Sequence, residues 1–237
     1  MILLGREKEI TRIRDYMLRK RHLIIFGEKG VGKTAIIKEI INEQTMQNIL
    51  YSPNSHTLKE ALVNLVSFGT SSCKGAKNIA QKNIVYLKKL FYKVLDKNPS
   101  YLVFDHIAKM GPRYCSLLDY IVLERQTSLI VLSRGLKQQD IGHLGMMSCY
   151  FEKIEISNLD RIAADNLTEY FIARSGAAIA DKGALKKDVF HYSKGNPKII
   201  RELCLLAADA KYRRKGFLDT KLLDLDRRIN ELSLSNV

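Results

Sequence analysis

Eight consecutive residues, Gly27-Glu28-Lys29-Gly30-Val31-Gly32-Lys33-Thr34, restrict this chain more than any other stretch. They match the pattern GxxxxGK[ST] in full, a pattern that requires a strand before it and a helix after it. Both flanks are present. His22-Leu-Ile-Ile-Phe26 is short, apolar and rich in β-branched residues, as expected of a strand buried on both faces. Lys33 to about Asn42 places Ile36, Ile37, Ile40 and Ile41 along one side of a helix. The glycines let the main chain wrap so that successive N–H groups converge on phosphate oxygens, and the helix adds the positive end of its dipole. The expected ligand is a nucleoside triphosphate, with Lys33 as a compact cation on the β- and γ-phosphates. Thr34 would offer its hydroxyl to Mg²⁺, an ion that keeps most of its waters and takes few protein ligands.

A second element of such a site is an apolar strand ending in an acid that holds the metal through water. Tyr101-Leu-Val-Phe-Asp105 has that form, which makes Asp105 the second metal residue beside Thr34. His106 follows, where many hydrolytic relatives carry a glutamate that polarises water. An imidazole can orient water but is no base when charged, so slow intrinsic hydrolysis is expected unless a carboxylate comes from elsewhere or from a neighbouring subunit; a satisfied turn residue is the alternative reading of His106.

Around these motifs the pattern alternates between strands and helices. Helices are expected at Glu7 to Leu18, with Ile10, Ile13, Met17 and Leu18 as its apolar side, and at Thr57 to Phe68, Lys77 to Leu95 and Gly111 to Arg125. Strands are expected at Ile49 to Ser52, Ser128 to Ser133 and Phe151 to Ile156. A parallel sheet is the economical arrangement for such alternation. Past Asn158 strand signals stop, and helices are expected at Asp160 to Ser175, Gly183 to Tyr192, Pro197 to Tyr212 and Thr220 to Leu232. The fold class is therefore α/β, a three-layer phosphate-loop core over 1–157 followed by a small all-helical lid over 158–237.

Composition narrows the function classes. The chain has 237 residues with 39 Lys plus Arg against 25 Asp plus Glu, a net charge of +14, and 46% hydrophobic residues, which suits a folded soluble protein. The longest uncharged run, Gln44 to Leu58, is rich in Asn, Ser and Gln, so no membrane span is expected. Met1 to Leu4 is too short an apolar segment for a secretion signal before Arg6-Glu7-Lys8-Glu9. Cys73, Cys115, Cys149 and Cys204 show neither zinc spacing nor disulfide density, which points to buried reduced thiols and a cytoplasmic location. The five histidines form no ligand pair at helical spacing.

With these residues in place the chain resembles the AAA+ and STAND branch of P-loop ATPases. Gly5-Arg6-Glu7-Lys8-Glu9-Ile10 is similar to the GRExEL box that precedes the first strand in STAND proteins, archaeal-type ATPases and origin-recognition-type initiators. The resemblance implies that Gly5 and Arg6 lie beside the adenine. Ser128-Leu-Ile-Val-Leu-Ser133-Arg134 is similar to the first-sensor strand of STAND ATPases, which implies a catalytic role for Arg134 near the γ-phosphate, together with Lys33, Asp105 and His106. Gly195-Asn196-Pro197-Lys198 resembles the GxP motif of STAND proteins and the GDxR second sensor of initiators, implying nucleotide contacts from Pro197 and Lys198. Lysine in place of arginine keeps the charge and loses the bidentate fork. The trans-acting arginine of oligomeric relatives has no counterpart in Leu144 to Phe151, which leaves Arg125 and Arg113 as substitutes.

The surplus charge is concentrated. Lys74, Lys77, Lys82, Lys88, Lys89, Lys93 and Lys97 face one acid, Asp96, between Cys73 and Lys97, with Ile84, Leu87, Phe91 and Val94 at core spacing. A second cluster, Lys211-Tyr-Arg-Arg-Lys215, closes a lid helix. Such stripes suit sequence-independent, salt-dependent binding to DNA. The leading expectation is a slow ATPase acting as a nucleotide-controlled switch or assembly factor on DNA, with a nucleotide-dependent homo-oligomer as one form. The alternative is a STAND-type switch that binds a protein partner without DNA. A small-molecule phosphotransferase fits poorly, because the helical segment follows the core instead of interrupting it.

Overall fold

The computed structural model describes residues 3–43, 48–70, 79–175, 181–214 and 217–235. Contacts divide the chain into two units. The first comprises Lys8–Lys29 and Lys33–Ile156, and the second Ile2–Glu7, Gly30–Gly32 and Ser157–Val237.

The first unit is built on five strands, β1 (His22–Phe26), β2 (Ile49–Ser52), β3 (Tyr101–Phe104), β4 (Ser128–Ser133) and β5 (Phe151–Glu155). All pair in parallel, in the order β2-β3-β4-β1-β5. β3 and β4 are buried at every position, which is why their sequences are continuously apolar instead of alternating. Helix α1 (Glu7–Leu18) precedes β1; α2 (Lys33–Asn42), α3 (Leu58–Gly69), α4 (Ile84–Leu95) and α5 (Pro112–Glu124) supply crossovers that parallel pairing demands, and a short α6 (Gln138–Ile141) precedes a 3₁₀ segment, Gly142–Tyr150, before β5. Leu62, Leu65, Leu87, Phe91, Leu102, Phe104 and Leu118 form the centre of one apolar cluster. Full burial of each such side chain contributes about 1.5–3 kcal/mol.

Several boundaries are set by capping. Thr57 and Glu60 form a reciprocal capping box at the start of α3. α4 begins later than expected, at Ile84, because the Asn83 side chain accepts from the Tyr86 N–H and stops the helix there; Ile79–Gln81 is a separate 3₁₀ turn, and Lys77 lies outside the described residues. Ile84 is accordingly exposed, whereas Leu87, Phe91 and Val94 are buried. α1 buries Ile10, Ile13 and Met17 but leaves Leu18 exposed, since the chain turns there: Lys20 takes the left-handed conformation, its N–H donating to Met17 O and that of Arg21 to Tyr16 O.

The second unit contains α7 (Arg161–Ser175), α8 (Lys182–Ser193), α9 (Pro197–Leu206) and α10 (Thr220–Ser235) around Leu167, Ile172, Leu185, Val189, Ile200 and Leu203. It is not wholly helical. Arg213–Arg214 (β6) and Phe217–Leu218 (β7) pair antiparallel, two residues against two, too short for any alternation to register in the sequence. α9 ends at Leu206, and Ala210–Tyr212 is a 3₁₀ turn whose Tyr212 is fully buried; the basic cluster Lys211 to Arg214 thus closes no helix. Lys211 is committed to Asp226 at 3.1 Å and lies over the Tyr212 ring, and Lys215 is outside the described residues.

The thiols also differ from expectation. Cys204 is buried, with its pKa pushed up to about 12 by burial, but Cys115 is half-buried and Cys149 exposed because the 3₁₀ segment carrying Cys149 turns it outward; Cys73 lies outside the described residues. Among the described residues no helix is long and apolar enough to cross a membrane.

Candidate functional site

The loop after β1 and the acid after β3 are separated in the sheet by β4, so the carboxyl ends of three strands converge. Register aligns Phe26 with Ser133 and Phe104 with Val131. Arg134, directly after Ser133, consequently emerges between the Gly27 loop and Asp105. Ligands of open α/β sheets bind at such carboxyl ends.

Asp105 is 2% exposed and accepts from three elements. The Thr34 hydroxyl, at the start of α2, donates to Oδ2 at 2.8 Å, and the Tyr51 hydroxyl, on β2, donates to the same oxygen at 2.7 Å. The His106 N–H donates to Oδ1 at 2.8 Å. The backbone is fixed as well: Asp105 N–H donates to Ser52 O and its carbonyl accepts from Ser55 N–H, both at 3.0 Å. A hydroxyl and a carboxylate at this separation form a hard-oxygen donor set that suits Mg²⁺ better than a softer ion. Among the described residues no group of three or more His, Cys, Asp or Glu could hold a metal without exogenous ligands.

Lys33 Nζ donates to Gly27 O at 2.6 Å and to Glu28 O at 2.9 Å, which arches the side chain back over the loop. Burial lowers its pKa; Asp105 pulls it up again and Arg134 presses it further down. Arg134 itself is exposed. Burial, then the hydrogen bond to Asp105 and its charge, push the Tyr51 phenol well above its ordinary pKa, so that it remains a donor.

His106 sits at φ 57°, with Nδ1 3.1 Å from Pro53 O and 3.2 Å from Asp105 Oδ1. Two acceptors at Nδ1 assign the proton of the neutral ring to that nitrogen and leave Nε2 as the acceptor. The imidazole is half-exposed, with the His56 ring 6.1 Å away.

The remaining expected residues group within the second unit. Arg6 is 4% exposed, and its guanidinium donates to Val31 O at 3.0 Å and Ser157 O at 2.6 Å. It ties the tip of the glycine loop to the start of the C-terminal segment. Gly30 has φ +90°, and a Cβ there would lie 2.7 Å from both Asn196 Oδ1 and Lys198 Cβ, so the tip admits glycine alone. Its carbonyl accepts from the Lys198 N–H at 3.2 Å. Gly195 is equally constrained: at φ +81° a Cβ would meet Leu159 O at 2.1 Å. Asn196 caps α9 by accepting from the Lys198 N–H, with Pro197 in the first turn. The Lys198 ammonium is 3.4 Å from Glu202 and from Glu231. Gly5 (φ 72°) packs against Ala163. Glu28 and Lys29 are exposed on the loop, and Gly32 is half-buried.

Of the two arginines considered for a trans role, Arg125 is held by Tyr120 Oη and Asp96 Oδ1, both at 3.1 Å, and stacks over the Tyr120 ring. It is thus engaged within its own unit, whereas Arg113 is exposed. Tyr51 is the residue that sequence reasoning missed. A tyrosine in a strand reads as packing, and only the β2–β3 register, Ser52 against Phe104, brings it to Asp105.

No family model matches the sequence. An archaeal Lon protease of Archaeoglobus fulgidus is 25% identical over 194 residues, covering 80% of this chain and 27% of that protein. The chain thus spans about a quarter of the length of this curated relative. A Walker-type ATPase of Pyrococcus abyssi superposes with TM-score 0.64 at 11% identity, covering 99% of this chain and 75% of the other. A STAND protein with a tetratricopeptide repeat sensor from Pyrococcus horikoshii gives 0.50 at 17% identity, covering 83% and 28%. A RuvB single-residue mutant from Thermotoga maritima gives 0.54 at 14% identity, covering 85% and 62%. The fold is that of the Walker-type and STAND ATPases on which it superposes.

Proposed function

We propose that this chain binds ATP with Mg²⁺ at the Gly27–Thr34 loop, hydrolyses it slowly, and uses the nucleotide to control assembly on DNA. The observation that carries the reading is the hydrogen bond from Thr34 to a nearly buried Asp105, on two elements 71 residues apart, beside a lysine arched over the glycine loop. Main-chain amides of the loop and Lys33 would grip the phosphates, and Arg134, emerging from β4, would stabilise charge that develops on the terminal one. Thr34 and Asp105 would hold Mg²⁺, which neutralises phosphate charge when bound. His106 Nε2 would orient the attacking water; an imidazole accepts a proton only in its neutral form, which supports slow turnover. Pro197, Lys198, Gly5 and Arg6 would contribute to nucleotide binding, with residues 158–237 as the lid that the resemblance implies.

DNA is favoured over a protein partner by the outer face of α4. Lys89 and Lys93 are exposed on α4 and Lys88 is half-buried, with Val85 and Tyr86 exposed beside them; Lys82 and Lys97 are exposed just before and just after the helix, and Lys74 and Lys77 lie outside the described residues. This face would meet phosphates without reading bases.

The test is retention of labelled duplex DNA, with chromatographic size, in the presence of ATP, ADP or no nucleotide at two salt concentrations. ATP-dependent assembly on DNA that weakens steeply with salt is expected. Equal retention by Lys33→Ala would separate nucleotide from DNA, and tightly held ADP with no DNA retention would transfer the reading to a STAND-type switch acting on a protein.

A further inference from the structure

We propose that Tyr51 is a positioning residue of the metal site, setting the orientation of the Asp105 carboxylate through its bond to Oδ2 while its ring is gripped by α2. The inference rests on the reading of the loop as an ATP·Mg²⁺ site and names a residue that no sequence motif marks.

The geometry has three parts. Thr34 and Lys38 stand four residues apart on α2, hence one above the other on the same face. Thr34 reaches Asp105 Oδ2, and the Lys38 ammonium lies 5.8 Å from the centroid of the Tyr51 ring. Tyr51 in turn donates to the Oδ2 that Thr34 uses. One helix face therefore engages Asp105 twice, directly through Thr34 and indirectly through Lys38 and Tyr51.

The chemistry follows from how the carboxylate is held. Thr34 and Tyr51 both donate to Oδ2, and the His106 N–H donates to Oδ1, which keeps lone-pair capacity on Oδ1 for a cation or its water. A carboxylate held at one oxygen by a single hydroxyl can turn about Cβ–Cγ; donors on both oxygens, from α2, β2 and the turn after β3, fix its plane. Thr34 donates its proton to Asp105, so the lone pairs on its oxygen stay available to a cation. Partners that orient a ligand set in this way typically change metal affinity by about 10–100-fold when removed.

The experiment uses the full chain and Tyr51→Phe, which keeps the ring over which Lys38 sits. A fluorescent ATP analogue is titrated first in EDTA and then at increasing Mg²⁺, and thermal melts are recorded for both proteins. Tyr51→Phe is expected to bind the analogue in EDTA within about twofold of wild type, while the Mg²⁺ concentration for half-maximal enhancement rises about tenfold. Lys38→Met is expected to shift the same midpoint in the same direction by less. An unchanged Mg²⁺ midpoint in Tyr51→Phe overturns the assignment. So does a parallel loss of metal-free affinity and melting temperature, which would make Tyr51 a packing residue. If wild type itself binds no analogue under either condition, the proposed function fails first, and the two failures are distinguishable.

Discussion

Asp105 and Lys89 belong to the same unit but carry their charges in opposite ways. The carboxylate is 2% exposed and accepts from Thr34, Tyr51 and the His106 N–H. The ammonium stands in solvent on the outer face of α4, one turn from the exposed Lys93, with Lys82 and Lys97 exposed just beyond the helix ends. Around Asp105 the environment is dry and directional, so a single atom decides what can bind. Along α4 the field is screened beyond about 8–10 Å and only the number of charges counts. α4 itself repeats the contrast, since Leu87, Phe91, Val94 and Leu95 on its inner side are buried to 3% exposure or less.

The sharpest way to break this comparison is through the inner side of α4. Phe91→Ala removes a fully buried ring from the main core and is expected to destabilise the protein by about 3–5 kcal/mol, whereas Lys89→Ala should stay within about 0.5 kcal/mol. Urea denaturation of the two variants measures both, and equal losses would mean that α4 is not amphipathic in the way described.

Next in size is Lys33→Ala. If Lys33 grips the phosphates as proposed, its removal is expected to weaken ATP binding by about 2–5 kcal/mol, read by calorimetry, with DNA affinity at low salt in the absence of nucleotide unchanged. The same residue predicts a pH dependence. Its folded-state pKa is lowered chiefly by burial, so in the unliganded protein the neutral form becomes favoured at a lower pH than for an ordinary lysine. The fold is penalised by the buried charge below that pKa and relieved as pH rises through it, while affinity for phosphate moves the other way. Calorimetry from pH 7 upward should show ATP affinity falling before pH reaches the usual lysine range. A flat profile up to pH 10.5 would place Lys33 in water.

The smallest effect expected is that of one outer lysine. Lys89→Ser should lower the slope of log affinity for DNA against log salt by about 1 and leave ATP affinity unchanged. A loss of DNA binding out of proportion to one charge would turn α4 from a screened surface into a directional site.

The phosphate loop, the strand ending at Asp105 and the parallel α/β alternation were legible in the sequence because each depends on local pattern. An octapeptide with three glycines needs its flanking strand and helix, and a continuously apolar strand needs cover on both faces. The cap at Asn83 was not legible: the expected helix runs through it from Lys77, because the cap shows only in the hydrogen bond from the Tyr86 N–H to its side chain. The pair Arg213–Arg214 with Phe217–Leu218 left no trace, since two residues cannot show alternation.

What the sequence determined by itself was the chemistry available at Gly27–Thr34, Asp105 and Arg134. Tertiary structure alone decided which groups those residues meet. Arg6 became the tie between Val31 and Ser157, Arg125 was engaged by Tyr120 and Asp96, and Tyr51 joined Thr34 on one carboxylate oxygen. The physical reason is range. Helix and strand patterns are set by neighbours a few positions away, whereas a hydrogen bond between residues 54 apart exists only after strand order and register bring its donor within 2.7 Å.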